Sequence, residues 1–156
     1  MMDLIVMRHG EASFGADSDA LRELTPNGRA QALRTAKQLK PMVSENTLIY
    51  YSPFVRTEQT ARLVADCLSL EMKPEKSLQA GTDYRKIIEW LQAITDTNII
   101  VISHNPMVSQ LTNALVYGLQ GQSLSGSVIF DTGYASCMSC DYPAYGCVDL
   151  VKMIKP

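Results

Sequence analysis

The chain has 156 residues, 46% of them apolar and 19% charged, with a net charge of −2 and a pI near 5.6. That length suits one domain, residues 1–156, whose core needs no disulfide or metal staple. The acidic balance excludes a surface built for nucleic acid or for an anionic membrane, and no apolar run approaches the roughly 20 residues of a spanning helix.

Leu4-Ile-Val-Met7 reads as a first short buried strand. The apolar run before Arg8 is only these four residues, with no basic segment before it, so we expect no secretory signal and a soluble protein of the cytoplasm. Leu24-Thr-Pro-Asn-Gly28 starts a helix, with Thr25 as N-cap and Pro26 in the first turn. That helix carries Leu33, Ala36 and Leu39 on one face and ends before Pro41. Leu48-Ile-Tyr-Tyr51 is a second strand. Ala61, Val64, Ala65 and Leu68 then recur at helical spacing, as do Tyr84, Ile87, Ile88, Leu91 and Ile94. Ile99-Ile-Val-Ile102 is β-branched and continuous, as in a strand buried on both faces. Asn105-Pro106 caps a helix bearing Val108, Leu111 and Leu115; Gly118 to Gly126 is a Gly/Ser/Gln loop; Val128 to Phe130, the stretch around Cys137, and Val148 to Ile154 read as strands.

This alternation predicts a three-layer α/β/α fold with a mostly parallel central sheet. Cys137 and Cys140 form a C-x-x-C, but within a strand pattern, and no second pair or nearby His completes a zinc set. We read the pair as semi-buried side chains; a redox role would need a helix start, where the dipole lowers the thiol pKa.

Ligands of such sheets bind at the carboxyl ends of the strands. Arg8-His9-Gly10 follows the first strand, Ser52-Pro-Phe-Val-Arg56 the second, and Ser103-His104-Asn105-Pro106 the buried one. Arg8, His9, Arg56 and His104 thus share one rim, with no run of acids beside them, and both histidines of the chain are there. Clustered positive charge asks for an anion, and phosphate matches the arginine fork. The helix opening at Pro106 adds a favourable dipole. No Asp, Glu or Cys cluster accompanies the histidines, so we expect neither metal nor cofactor. The remaining histidine chemistry is attack on phosphorus to give a phosphohistidine intermediate. Either histidine fits that role on chemistry alone.

These segments resemble the histidine phosphatase superfamily, with its phosphoglycerate mutase-like fold. Arg8-His9-Gly10 resembles the family signature, Leu24 to Ala32 its L-T-x-x-G-x-x-Q-A helix start, Ser52 to Ala61 its S-x-x-x-R-x-x-Q-T-A segment, and Ser103-His104-Asn105 its second-histidine motif. Within the superfamily the wording and small size are most similar to the SixA-type phosphohistidine phosphatases. The resemblance implies that His9 is the nucleophile, with one ring nitrogen free and the other donating to a backbone carbonyl. It implies that Arg8, Arg56 and a partly charged His104 form the phosphate pocket. It also implies a phosphohistidine-bearing partner, such as a histidine phosphotransfer domain, and a bound phosphate ion.

One position departs from the family. Many members carry a glutamate general acid before the third long helix, and here Ser77 to Asp83 holds none. Asp83 is the nearest candidate, though it equally suits an N-cap; Glu11 and Glu58 carry less weight. An imidazole leaves phosphorus far more readily than an alkoxide, so a site without a firm acid suits phosphohistidine. The alternatives are a phosphatase or mutase acting on small phosphomonoesters and a catalytically silent phosphoprotein-binding regulator. The short stretches between His9, Arg56 and His104 leave no room for a lid subdomain, which predicts an open, shallow pocket.

Overall fold

The computed structural model describes residues 1–94, 98–118 and 128–156. Its elements run β1 (Met2–Arg8), α1 (Pro26–Leu39), β2 (Leu48–Tyr51), α2 (Val55–Leu68), β3 (Glu71–Pro74), α3 (Tyr84–Ala93), β4 (Ile99–Ser103), α4 (Met107–Tyr117), β5 (Ala135–Cys140) and β6 (Asp149–Ile154). Single 3-10 turns lie at Asp19–Leu21, Lys40–Met42 and Lys76–Leu78.

The strands form one sheet in the order β3-β2-β4-β1-β5-β6. The first four in that order are parallel, and β5 and β6 extend the sheet antiparallel. A strand as apolar as β4 is stable only with both faces covered, and every one of its residues is buried. On one face Leu4, Val6, Ile99 and Val101 share a core with Ile87, Leu91, Leu111 and Leu115 of α3 and α4. On the other, Ile5, Met7, Ile100 and Ile102 share a core with Ala32, Ala36, Ala61 and Val64 of α1 and α2. This is the three-layer α/β/α arrangement that the sequence predicts. Each large aliphatic side chain so buried contributes about 1.5–3 kcal/mol.

The two helix pairs run in opposite senses across the sheet. Helices α1 and α2 carry the chain outward from β1 to β2 and β3; α3 and α4 bring it back to β4 and past β1. The reversal leaves a crevice above the carboxyl ends of β1 and β4, where a doubly wound sheet binds ligands.

Local chemistry fixes where α1 begins. Thr25 Oγ1 accepts from the Gly28 amide at 2.9 Å, and Pro26 occupies the first turn. Gly28 packs directly on the backbone of Glu11, and Gly10 on the backbone of Gly28; a Cβ at either glycine would clash with backbone atoms. These contacts press the start of α1 against the turn that follows β1.

Three details differ from the sequence-based expectation. Strand β3 has no apolar signal because its residues lie at an exposed edge, where Pro74 needs no ladder partner. Val128–Phe130 is not a strand: side chains hold it instead, with Asn113 bonding Val128 and the Phe130 carbonyl accepting from Arg8 and Asn105. Asn105 therefore does not cap α4, whose N-cap position is Pro106. The Gly118 to Gly126 loop lies outside the described residues except for Gly118, which ends α4 at a φ of 69°. The C-x-x-C is in strand β5, and all four thiols are free. Cys137 joins the α1/α2 core and Cys140 the α3/α4 core; burial pushes the Cys137 thiol up to about 11.

The backbone contact at Gly28 carries a measurable cost. Gly28→Ala should lower stability in chemical denaturation by roughly 1–3 kcal/mol, the usual penalty of overpacking. An unchanged midpoint would mean that the junction has room to spare.

Candidate active site

Strand register does the first placing. Arg8 of β1 lies opposite Ser103 of β4, so His9 and His104 emerge side by side, and the His9 amide donates to the Ser103 carbonyl at 3.1 Å. The two rings meet edge to face, with centroids 5.3 Å apart. On the other side of β4, the Ser52 amide donates to the Ile102 carbonyl, which brings the Ser52 hydroxyl to 2.7 Å from His104 Nε2.

His9 is 6% exposed. Its Nδ1 lies 2.6 Å from the Gly10 carbonyl and must carry a proton to make that bond. The lone pair is then on Nε2, and Arg56 Nε donates to it at 3.2 Å. His104 is 2% exposed; its Nε2 is paired with the Ser52 hydroxyl, and its Nδ1 is buried with no partner among the described residues. Arg8 donates from one terminal nitrogen to the Phe130 carbonyl, while its Nε is also buried with no partner among the described residues. Two unpaired buried groups in one pocket are a costly arrangement unless an acceptor enters.

Arg56 sits in the first turn of α2 and is 4% exposed. Besides His9 it bonds Asp19 twice, from one terminal nitrogen to the carbonyl at 2.7 Å and from the other to Oδ2 at 3.1 Å. The other oxygen of that carboxylate accepts from Arg22 at 3.1 Å. Arg22 is in turn tied to the Ser13 carbonyl and lies 4.4 Å from the Phe14 ring centroid. Asp19 and Arg22 add to the rim that the sequence predicts: one carboxylate bridges two arginines there. Neither residue stands in a periodic segment, and nothing in the sequence distinguishes Asp19 from Asp17 or Glu23.

Burial is the largest influence on both imidazoles. It pushes His9 down to about 4, helped by Arg56 and Arg8, and His104 down to about 3, helped by His9 and Arg56. His104 is therefore held toward its neutral form in the free site. Burial also lowers Arg8 from its ordinary value. Asp19 is lowered, first by the hydrogen bond from Arg22 and then by Arg56, and stays ionised.

The pocket holds about 360 Å³ between the ends of β1 and β4 and the segment from Glu11 to Arg22. Arg8, His9, Arg56 and His104 all line it. Among the described residues no inserted subdomain covers it. Asp83 does not line it: its carboxylate caps α3 at the Arg85 amide and pairs with the Arg85 guanidinium, which hold it down at about 2. Glu11 does line the pocket, but its carboxylate is engaged by Thr25 and Asn27. Glu58 stands in the first turn of α2, away from the lining. Among the described residues no three His, Cys, Asp or Glu side chains gather as metal ligands would, and no helix is long and apolar enough to cross a membrane.

The motif residues around the site are its scaffold. The Gly10 amide donates to Thr60 Oγ1, the Leu24 amide to Gln59 Oε1, and the Glu11 amide to Gln31 Oε1. Each ties the loop after β1 to α1 or α2.

Comparison with known proteins places the same residues in a family. Residues 4–80 match the model of the histidine phosphatase superfamily, branch 1. The chain is 39% identical to phosphohistidine phosphatase SixA of Escherichia coli over 124 residues, covering 75% of this chain and 76% of that one. It is 33% identical to the SixA homologue of Haemophilus influenzae, covering 75% and 78%. A solved structure of the protein histidine phosphatase SixA complexed with tungstate superimposes with a TM-score of 0.85 at 30% identity, covering 99% of this chain and 97% of that one.

The buried imidazoles make stability depend on pH. Both are held below the ordinary 6.5 of histidine, so the unfolded chain binds protons that the folded chain refuses. Stability should therefore fall as pH drops from about 6.5 toward 4, and be fully present above 6.5. The urea midpoint should be lower at pH 5 than at pH 7, and His104→Gln should flatten that difference. A midpoint as high at pH 5 as at pH 7 would mean that the imidazoles are not held neutral.

Proposed function

This chain belongs to the histidine phosphatase superfamily, and on that footing we propose that it is a protein phosphohistidine phosphatase acting through a covalent intermediate on His9. The observation that carries the reading is the state of His9: Nδ1 is committed to the Gly10 carbonyl, and Nε2 presents its lone pair between Arg56 and the pocket. A neutral imidazole so fixed is a nucleophile that needs no base.

The phosphoryl group enters with its oxygens on Arg8 Nε and His104 Nδ1, which are buried without partners among the described residues. Arg56 turns its Nε from the lone pair of His9 to a phosphoryl oxygen as attack begins. His9 Nε2 forms the bond to phosphorus and the substrate nitrogen departs. Water then attacks the phosphoenzyme, releases inorganic phosphate and restores the neutral ring. Phosphoryl transfer asks a protein mainly for positioning and charge stabilisation, and the two arginines with His104 supply both, with no cofactor or metal called on. A phosphate dianion beside His104 favours its protonated form, so the ring gains charge when the substrate arrives.

The open pocket suits a phosphohistidine presented on a folded surface. The partner in this reading is a phosphohistidine-bearing protein such as a histidine phosphotransfer domain. The setting is a bacterial phosphorelay in the cytoplasm, with residues 1–156 acting as one domain.

His9→Ala should lower turnover by on the order of a thousandfold or more, as loss of a nucleophile does. Enzyme quenched during turnover should carry phosphate that is stable to alkali and labile to acid. A label that resists acid, or a His9→Ala variant near full activity, would remove His9 from this role. Turnover on a phosphohistidine protein should exceed that on a panel of small phosphate esters, and the reverse order would favour the ester phosphatase.

A further inference from the structure

Phosphohistidine differs from a phosphate ester in where its leaving group needs a proton. An alkoxide is strongly basic, so the departing oxygen itself must be protonated. In a phosphorylated imidazole the departing nitrogen needs no proton if the other ring nitrogen already carries one. The electron pair of the broken N–P bond then neutralises an imidazolium. A site for that substrate requires an acceptor for the ring N–H in place of an acid. The enzyme's own ring has such an acceptor: the Gly10 carbonyl holds the proton on His9 Nδ1.

Asp19 offers the counterpart for the substrate. Its carboxylate lines the pocket and its side chain is 57% exposed, so a ring brought in on a protein surface can reach it. One oxygen accepts from Arg22 and the other from Arg56, and each retains a second lone pair. Arg56 bonds His9 Nε2 through one nitrogen and Asp19 through another. The carboxylate therefore shares the Arg56 guanidinium with the nucleophile in the lining of the same pocket. Among the described residues, the charged or titratable groups sharing the pocket are Arg8, His9, Glu11, Arg22, Arg56 and His104. The only other carboxylate among them, that of Glu11, is taken by Thr25 and Asn27.

We propose that Asp19 accepts the N–H of the leaving imidazole and so holds the substrate ring in its protonated, readily departing form. The proposal rests on the phosphohistidine reading above. In the step, His9 Nε2 forms a bond to phosphorus as the substrate N–P bond breaks. The electron pair of that bond stays on the substrate nitrogen, and the proton facing Asp19 stays on the substrate ring. The substrate leaves as neutral histidine, and His9 becomes the phosphorylated imidazolium with its Nδ1 proton still donated to the Gly10 carbonyl. No proton changes hands. The site thereby selects leaving groups with a second ring nitrogen.

The test compares wild type and Asp19→Asn on a phosphohistidine peptide and on p-nitrophenyl phosphate, whose phenolate leaving group has no N–H. The loss in kcat/KM on the peptide should exceed that on the ester by on the order of tenfold to a hundredfold, the range of a hydrogen bond to a charged group. The alkaline limb of kcat for the peptide should also move to lower pH in the variant, because the bound imidazolium loses its stabilising anion. Equal losses on both substrates would mean that Asp19 acts only by holding Arg56, and would overturn the proposal, as would no loss on either. A wild-type enzyme that hydrolyses the ester but not the peptide would overturn the phosphohistidine reading itself, a separate outcome.

Discussion

Strands β1 and β4 pair so that Arg8 faces Ser103, and the rest of the site hangs from that register. One residue further on, the chain leaves the sheet on both strands at once, and His9 and His104 come out as neighbours. The register is held by Leu4, Val6, Ile99 and Val101 on one face and by Ile5, Met7, Ile100 and Ile102 on the other. A slip by one residue would exchange the two sets and turn every side chain to the wrong core. The hydrophobic pattern of two short strands is thus what aligns two imidazoles. Adjacent β2 adds Ser52 by the same device.

Placing those rings deep in the crevice has a consequence for charge. Buried imidazoles beside arginines stay neutral, so the free pocket lacks the cationic histidine that its composition suggests. Asp19 reduces the remaining positive charge by bridging Arg22 and Arg56. The pocket is therefore moderated before substrate arrives, and its strongest unmet demands are two buried polar atoms, on Arg8 and His104.

Much of this was readable from the residues. Apolar runs of four, bounded by polar tripeptides, located β1, β2 and β4, and Thr25 with Pro26 located the start of α1. The strand ends then brought Arg8, His9, Arg56 and His104 to one rim. The motif glycines also have a plain physical meaning, since Gly10 and Gly28 touch backbone to backbone. What was not readable lay where no period operates. Strand β3 is polar because it is an edge, and Val128–Phe130 is apolar yet held by side chains. Asp19 acts in the site only because a 3-10 turn in an aperiodic loop faces α2. The neutrality of His104 comes from burial, which depends on neighbours far away in the chain.

The pleat of β5 separates the two cysteines of the C-x-x-C. Three positions apart on a strand, Cys137 and Cys140 point to opposite faces, one into each core. The sheet stands between them as a wall, so the chain holds no dithiol there for an oxidant to close. A shift in the redox state of its surroundings reaches neither of these two sulfurs through the other.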